Sequence, residues 1–440
     1  MRCMPTRQQR IDYLMGGRRS GAATPHNLRK RIMKPSAYNT FTLPCALRVV
    51  HISSRNDVAC CGVLINAGSR DDFAGALGLA HFVEHTIFKG TTKRKAWHIL
   101  NRMEAVGGEL NAYTTKEATA IYSVFPKAHL ARAMELIADL TMNSTFPDAE
   151  LNHEREVVLE EIDSYRDTPS EAIYDDFEDI MFAGTSLGHN ILGLHDDLMG
   201  IDSKVCSRYV SQHFNAQNMV LFVMANTPQK RVEALANKHF SAMRPAQNLD
   251  FARPVPTVAS RFEQSMHIES HQAHVMAGTP IFGMHDSRRY AMALMNNVLG
   301  GPGMNALLNV QLRERRGMVY QVGSSVSLLT DCGIMQIYLG CDHHNVQPAL
   351  KIVRRTLADL AEHGLTDRRL AAAKKQYAGQ LLLSTDNSVD NALAAARSYL
   401  YHNRILTNEQ VLERISSVSN DHLRQAAALV ATNLSVLVME

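Results

Sequence analysis

Gly78-Leu79-Ala80-His81-Phe82-Val83-Glu84-His85-Thr86-Ile87-Phe88-Lys89-Gly90 contains an H-x-x-E-H pattern, the reverse of the H-E-x-x-H order of many zinc sites. The first and fifth positions of such a pattern stand about one helical turn apart and point the same way. His81 and His85 can therefore offer two imidazoles to one metal. Glu84 sits beside them, close enough to act on water at that metal without being a ligand. In a chain with 20 histidines, two of them four apart also arise by chance on ordinary helices. The flanks argue for more. Leu79, Ala80, Phe82, Val83, Ile87 and Phe88 make the helix apolar nearly all round, which predicts burial. Buried imidazoles and a buried carboxylate are costly unless paired or metal-bound.

A catalytic zinc takes three protein ligands and leaves one position for water. The run from Asp148 to Ile162 reads as a helix begun after Phe146-Pro147, with Asp148 as its cap. Glu154 and Glu161 lie close to two turns apart and share a face with Val157 and Val158 between them. Glu156 and Glu160 are each turned away from one of that pair. The face with the valines is expected to turn inward, and a carboxylate on it needs a partner. Spacing favours Glu154 or Glu161 over Glu160 and does not choose between them.

With these residues in view, the chain resembles the pitrilysin/insulysin family of inverted-motif zinc peptidases. It is most like the short branch that includes the mitochondrial processing peptidase and its bacterial relatives. The resemblance covers essentially all of residues 36–440. It implies Glu161 as the third ligand, because Glu161 stands 76 residues beyond His85, which is the family's spacing. It implies Glu154 as a glutamate that supports the site without ligating. The family pattern E-R-x-V-x-L-x-E is met by Glu154, Arg155, Val157, Leu159 and Glu161.

Two further stretches carry the resemblance. The segment Gln311–Tyr320 is similar to L-R-E-x-R-G-L-x-Y, which implies that Arg313 and Tyr320 help bind substrate and stabilise the tetrahedral intermediate. A guanidinium fork and a phenol can both donate hydrogen bonds to a developing oxyanion. Taken alone, the stretch is a basic helix end, a glycine stop and a strand tyrosine. The segment Gly107–Tyr122 is similar to G-G-x-x-N-A-x-T-x-x-E-x-T, which implies an edge strand near the metal that receives substrate in extended form. Asn111 and Ala112 match the substrate-contact positions. Without the family, it is a turn and an alternating strand.

A chain of 440 residues is too long for one compact core and predicts two or more domains. A long-period repeat supports this. Residues 119–161 run strand, helix (Leu130–Thr141), Phe146-Pro147-Asp148, helix. Residues 333–380 run strand (Ile334–Gly340), helix (Val346–Glu362), Gly364-Leu365-Thr366-Asp367, helix, with Tyr122 and Tyr338 in similar places. Met292–Gly301, in the place of the zinc helix, has no H-x-x-E-H, so one half is catalytic and the other degenerate. Gly300-Gly301-Pro302-Gly303 there reads as a tight turn. Pro245, Pro254 and Pro256 mark a linker over residues 242–262. The expected fold is α+β, two homologous domains, each a mostly antiparallel sheet with helices packed on one face. Their bounds are 36–241 for the catalytic domain and 263–440 for the degenerate one, which contributes Arg313 and Tyr320.

The net charge of +3 conceals an asymmetry: residues 1–34 hold nine Lys/Arg against Asp12, leaving the rest at −5. The mildly acidic body gives no reason to expect nucleic-acid binding. Residues 1–35 read as a basic, disordered extension, with a mitochondrial presequence as the alternative. No apolar run reaches the roughly 18 residues needed to span a bilayer, so no membrane partner is expected. The seven scattered cysteines predict reduced thiols, with Cys60 and Cys61 in a buried strand. This suits the cytoplasm, or the mitochondrial matrix if the extension is a presequence.

The sequence therefore predicts a zinc metalloendopeptidase with one Zn2+ per chain, held by His81, His85 and Glu161, and with Glu84 as general base. Arg313 and Tyr320 would reach the intermediate only if the second domain closes over the first. The resemblance implies that two such chains pair into a chamber for unfolded peptides, here a homodimer because one chain carries both residue sets. The alternatives are a non-catalytic scaffold or partner subunit, and a specific presequence-processing peptidase.

Overall fold

The computed structural model describes residues 38–246, 252–384 and 388–440. The basic extension 1–35, Cys3 within it, and residues 247–251 of the expected linker lie outside the described residues.

Two sheets organise the chain. The first contains β1 (Tyr38–Thr42), β2 (Arg48–Ser53), β3 (Val58–Ile65), β4 (Glu109–Thr114), β5 (Thr119–Pro126) and β6 (Met219–Ala225), in the order β1-β2-β6-β3-β5-β4. The second contains β7 (Glu263–Met266), β8 (Ala273–Phe282), β9 (Val319–Leu328), β10 (Cys332–Cys341) and β11 (Ser435–Met439), in the order β7-β11-β8-β10-β9. From β2 onward the two orders are the same. Each has one parallel pair, β2 with β6 and β7 with β11, and antiparallel neighbours beyond it. The helices repeat too. Leu79–Thr86 and Arg289–Gly300 fill the same slot, as do Leu130–Asn143 and Val346–His363, and Asp148–Arg166 and Asp367–Ser384.

Each half packs its own helices on one face of its sheet, the expected α+β arrangement. The opposite faces are covered by an exchange. Helix Pro169–Met181 leaves the first half and lays Ile173, Phe177 and Met181 on Met276, Tyr338 and Leu437 of the second sheet. Helix Ser388–His402 returns the contact, with Ala392, Ala395 and Ala396 against Val50, Leu64, Val220 and Phe222 of the first. Tyr122 and Tyr338 both lie on these exchanged faces.

The exchange explains strands that are apolar on both sides. Along β6, Met219, Leu221 and Val223 meet the helices of their own half, while Val220, Phe222 and Met224 meet the donated helix. A strand covered on both faces needs no polar alternation. Burying each such side chain is worth about 1.5–3 kcal/mol. A large swing of one half over the other would strip both donated helices, so the interlock opposes the closure expected from sequence.

Candidate metal centre and active site

The zinc-motif helix is Leu79–Thr86, buried at every position except His85. It starts from Gly78 at φ +89, where a Cβ would come within 2.4 Å of the Leu192 carbonyl oxygen. Asp72 caps it from outside: Oδ2 accepts from Gly78 N–H at 2.7 Å and Oδ1 from Ala80 N–H at 2.8 Å. A carboxylate there satisfies two orphan donors and complements the helix dipole. Burial pushes the Asp72 carboxyl up from its ordinary range, against bonds from His189 and these amides.

Helix Asp148–Arg166 packs against it. Asp148 is the first helical residue and Pro147 occupies the cap position, correcting the expected cap. The inward face is Leu151, Glu154, Val158 and Ile162, whereas Val157 is 38% exposed. The buried positions 151, 154, 158 and 162 centre close to 158, and 157 stands about 100° round the helix from it. Glu156 and Glu160 are exposed.

The two helices bring His81, His85 and Glu161 together, with ligand atoms all within 4.8 Å of one another. Glu161 Oε2 lies 3.7 Å from His81 Nε2 and 3.5 Å from His85 Nε2. Tetrahedral zinc with bonds near 2.0–2.2 Å separates its ligand atoms by about 3.4 Å. Donor set and spacing thus fit a zinc ion. Glu84, 3% exposed, is buried beside them, and its charge acts on His85.

Glu154 takes a different role. Its Oε1 is 3.1 Å from His85 Nδ1, and its Oε2 pairs with Lys89. Burial raises its pKa, but the bonds from His85 and Lys89 outweigh this and hold it below the usual carboxylate range. Lys89 is a site residue the sequence reading missed. The available signal was its place four residues after His85, one turn further on. Arg155 holds the Leu198 and Ile201 carbonyls and lies 5.9 Å above the Phe82 ring, bracing the same helix pair.

The remaining expected residues stand further out. Asn111 and Ala112 lie on β4, which is the edge strand of its sheet and packs against the zinc-motif helix. Arg313 is exposed on a π-helical turn, Asn309–Glu314, and Gly317 at φ +61 ends that turn before β9. Tyr320 is 57% exposed and donates its hydroxyl to Asp342 at 2.8 Å. The phenol must leave Asp342, or share it, to meet a substrate.

Two histidines and a glutamate around one point, with a second buried glutamate alongside, form the donor arrangement of an inverted-motif metallopeptidase. Residues 48–194 match the family described as insulinase (peptidase family M16), and residues 202–377 match the M16 inactive domain. An uncharacterized zinc protease of Streptomyces coelicolor is 33% identical over 398 residues, covering 88% of this chain and 85% of that protein. Another, from Mycobacterium leprae, is 29% identical over 422 residues and 93% of each chain. A protease from Helicobacter pylori has a similar fold, with a TM-score of 0.86 at 21% identity over 92% of this chain and 100% of that one. A peptidase M16 inactive domain from Pseudomonas fluorescens gives 0.84 at 18% identity over 91% and 97%.

The chain belongs to peptidase family M16, and the resemblance read from its residues holds. The second match runs from the end of the first half into the second, whose helix Arg289–Gly300 lacks H-x-x-E-H. Among the described residues no helix is long and apolar enough to cross a membrane.

Proposed function

We propose that the chain is a zinc endopeptidase acting on unfolded peptides. The observation that carries this reading is the convergence of His81 Nε2, His85 Nε2 and Glu161 Oε2 beside buried Glu84. When bound, zinc supplies a Lewis acid and lowers the pKa of coordinated water towards neutrality. His81, His85 and Glu161 would hold the ion, with Glu154 fixing the His85 ring so that Nε2 points inward. Glu84 takes the proton of the attacking water on its carboxylate and passes it to the leaving nitrogen.

The edge strand β4 supports the choice of substrate. Among the described residues β4 pairs with no strand but β5, so its outer side can receive a peptide in extended form, with Asn111 and Ala112 in the contact. An unfolded peptide offers such a strand at once, whereas most backbone groups of a folded protein are already paired. Arg313 and Tyr320 supply donors to the developing oxyanion. Because the interlock opposes closure within one chain, delivery of these two residues by a second copy is the simpler geometry, and the working form is a homodimer.

Cleavage of an unstructured peptide by zinc-loaded protein, followed by its new amino termini, tests the reading. Activity lost on chelation and restored by zinc is expected. Hydrolysis indifferent to chelation contradicts it, and a chain that binds no stoichiometric zinc is a scaffold.

A further inference from the structure

The residues just before the zinc-motif helix tie three parts of the molecule together. In the turn Ser69–Asp71 and the residue after it, consecutive side chains reach in different directions. Arg70 reaches the second half. Its Nη1 donates to Asp331 Oδ1 at 2.7 Å and its Nη2 to Asp331 Oδ2 at 2.6 Å. The same guanidinium donates to Glu117 Oε1 at 2.6 Å and to the Pro254 carbonyl at 2.8 Å. Asp71 holds the linker, accepting from Arg253 Nε at 2.9 Å and Nη2 at 2.8 Å. Asp72 holds the N-terminus of the zinc-motif helix.

Glu117 completes the clasp. It accepts from Thr330 N–H at 2.9 Å and from Thr330 Oγ1 at 2.7 Å. Its place in the fold matters. Glu117 lies in the turn between β4 and β5, and Thr330 and Asp331 lie in the turn between β9 and β10. These hairpins are counterparts in the repeat. The clasp therefore joins, tip to tip, the hairpin that carries the substrate edge and the hairpin that carries Tyr320.

We propose that Arg70, gripped by Asp331 and Glu117, is a positioning residue for the peptidase reaction: it sets the seating of the second half against the β4–β5 tip and, through Asp71 and Asp72, against the zinc-motif helix. This rests on the peptidase reading above. The Arg70 side chain has no exposed surface and that of Glu117 has 3%. A buried charged network is weak evidence of added stability, because apolar packing would serve as well. Bidentate pairing instead fixes direction. Direction matters here because of leverage. From Leu328 to Tyr320 is about 27 Å along β9, so a tilt of about 5° at the clasp moves the phenol, and with it the approach of that phenol to the second copy's metal centre, by about 2 Å. Displacements of about 1 Å can cost about 100-fold in rate.

Arg70→Lys keeps the charge and loses the fork; Asp331→Asn keeps the shape and loses the charge. Both should fold and bind one zinc, with kcat at least 10-fold lower and KM within about two-fold, while Asp331→Glu recovers most of kcat. Amide hydrogen exchange at Gly78 and Ala80 should quicken in Asp331→Asn at least five-fold. Unchanged kcat in folded, zinc-replete variants overturns the proposal, as does a loss that vanishes on assay at lower temperature. If the wild type hydrolyses no peptide, the peptidase reading fails. The exchange rates then decide the coupling alone, and equal rates in wild type and Asp331→Asn overturn it.

Discussion

Nδ1 of His85 lies 3.1 Å from Oε1 of Glu154, whose side chain is 2% exposed. This contact decides which ring nitrogen faces Glu161: it is Nε2, at 3.5 Å. A carboxylate on the far nitrogen orients the imidazole and raises its basicity as a ligand. The second Glu154 oxygen is held by Lys89, so the carboxylate stays ionised while it does so.

Glu154→Gln keeps the shape and removes the charge. Zinc affinity should fall roughly 10–100-fold, as measured by competition with a chromophoric chelator. An unchanged affinity would reduce Glu154 to a packing partner of Lys89.

Without metal, His85 is pushed up to about 10. Burial works against its charge, but the bonds to Glu154 and Glu161, with the nearby charges of Glu84 and Glu161, outweigh it. A raised folded pKa adds stability that is fully present below the unfolded imidazole value of about 6.5 and fades as pH rises through about 10. The metal-free protein should thus melt at progressively lower temperature across that window. Zinc loading near neutral pH should release about one proton, readable by calorimetry in buffers of different ionisation enthalpy. Loading without proton release would contradict the charged imidazole.

Phe177 belongs to the first half by sequence and to the core of the second by contact, fully buried against β8 and β10. Phe177→Ala should cost about 3–5 kcal/mol. Unfolding should remain one transition, with probes in both halves moving together. Separate melting of the second half would refute the interlock.

The interlock also predicts complementation. Glu84→Gln and Tyr320→Phe chains should each be impaired, and mixing them should restore up to about a quarter of wild-type activity through mixed dimers. Mixtures no better than their components would place both residues on the same chain's site.

What was legible in the sequence was what is local. His81, Glu84 and His85 fall within one helical turn, and the apolar residues around them announce burial. The repeat was visible because each hairpin and its following helix recur in order. Glu154 and Glu161 were both readable as carboxylates needing partners, but spacing could not give one to His85 Nδ1 and the other to the metal side. Only the packing of two helices decides that. Val157 and Val158 flank the line through Glu154 and Glu161 at equal angles on opposite sides, so spacing treats them alike, and only the packing of the helix buries Val158 and leaves Val157 exposed. The donated helices were out of reach for a different reason. Ala392, Ala395 and Ala396 mark a face to be buried, and nothing in that pattern says it belongs on β2, β3 and β6. Arg70 and Asp331, 261 positions apart, meet for the same non-local reason.

In the proposed mechanism Glu84 moves the proton at a zinc held by His81, His85 and Glu161. Glu84→Gln measures it most directly, with zinc content and hydrolysis of an unstructured peptide read on the same preparation. One zinc per chain, unchanged from wild type, is expected, with hydrolysis lowered about 10²–10⁴-fold. Peptide hydrolysis surviving in the zinc-loaded variant would contradict it.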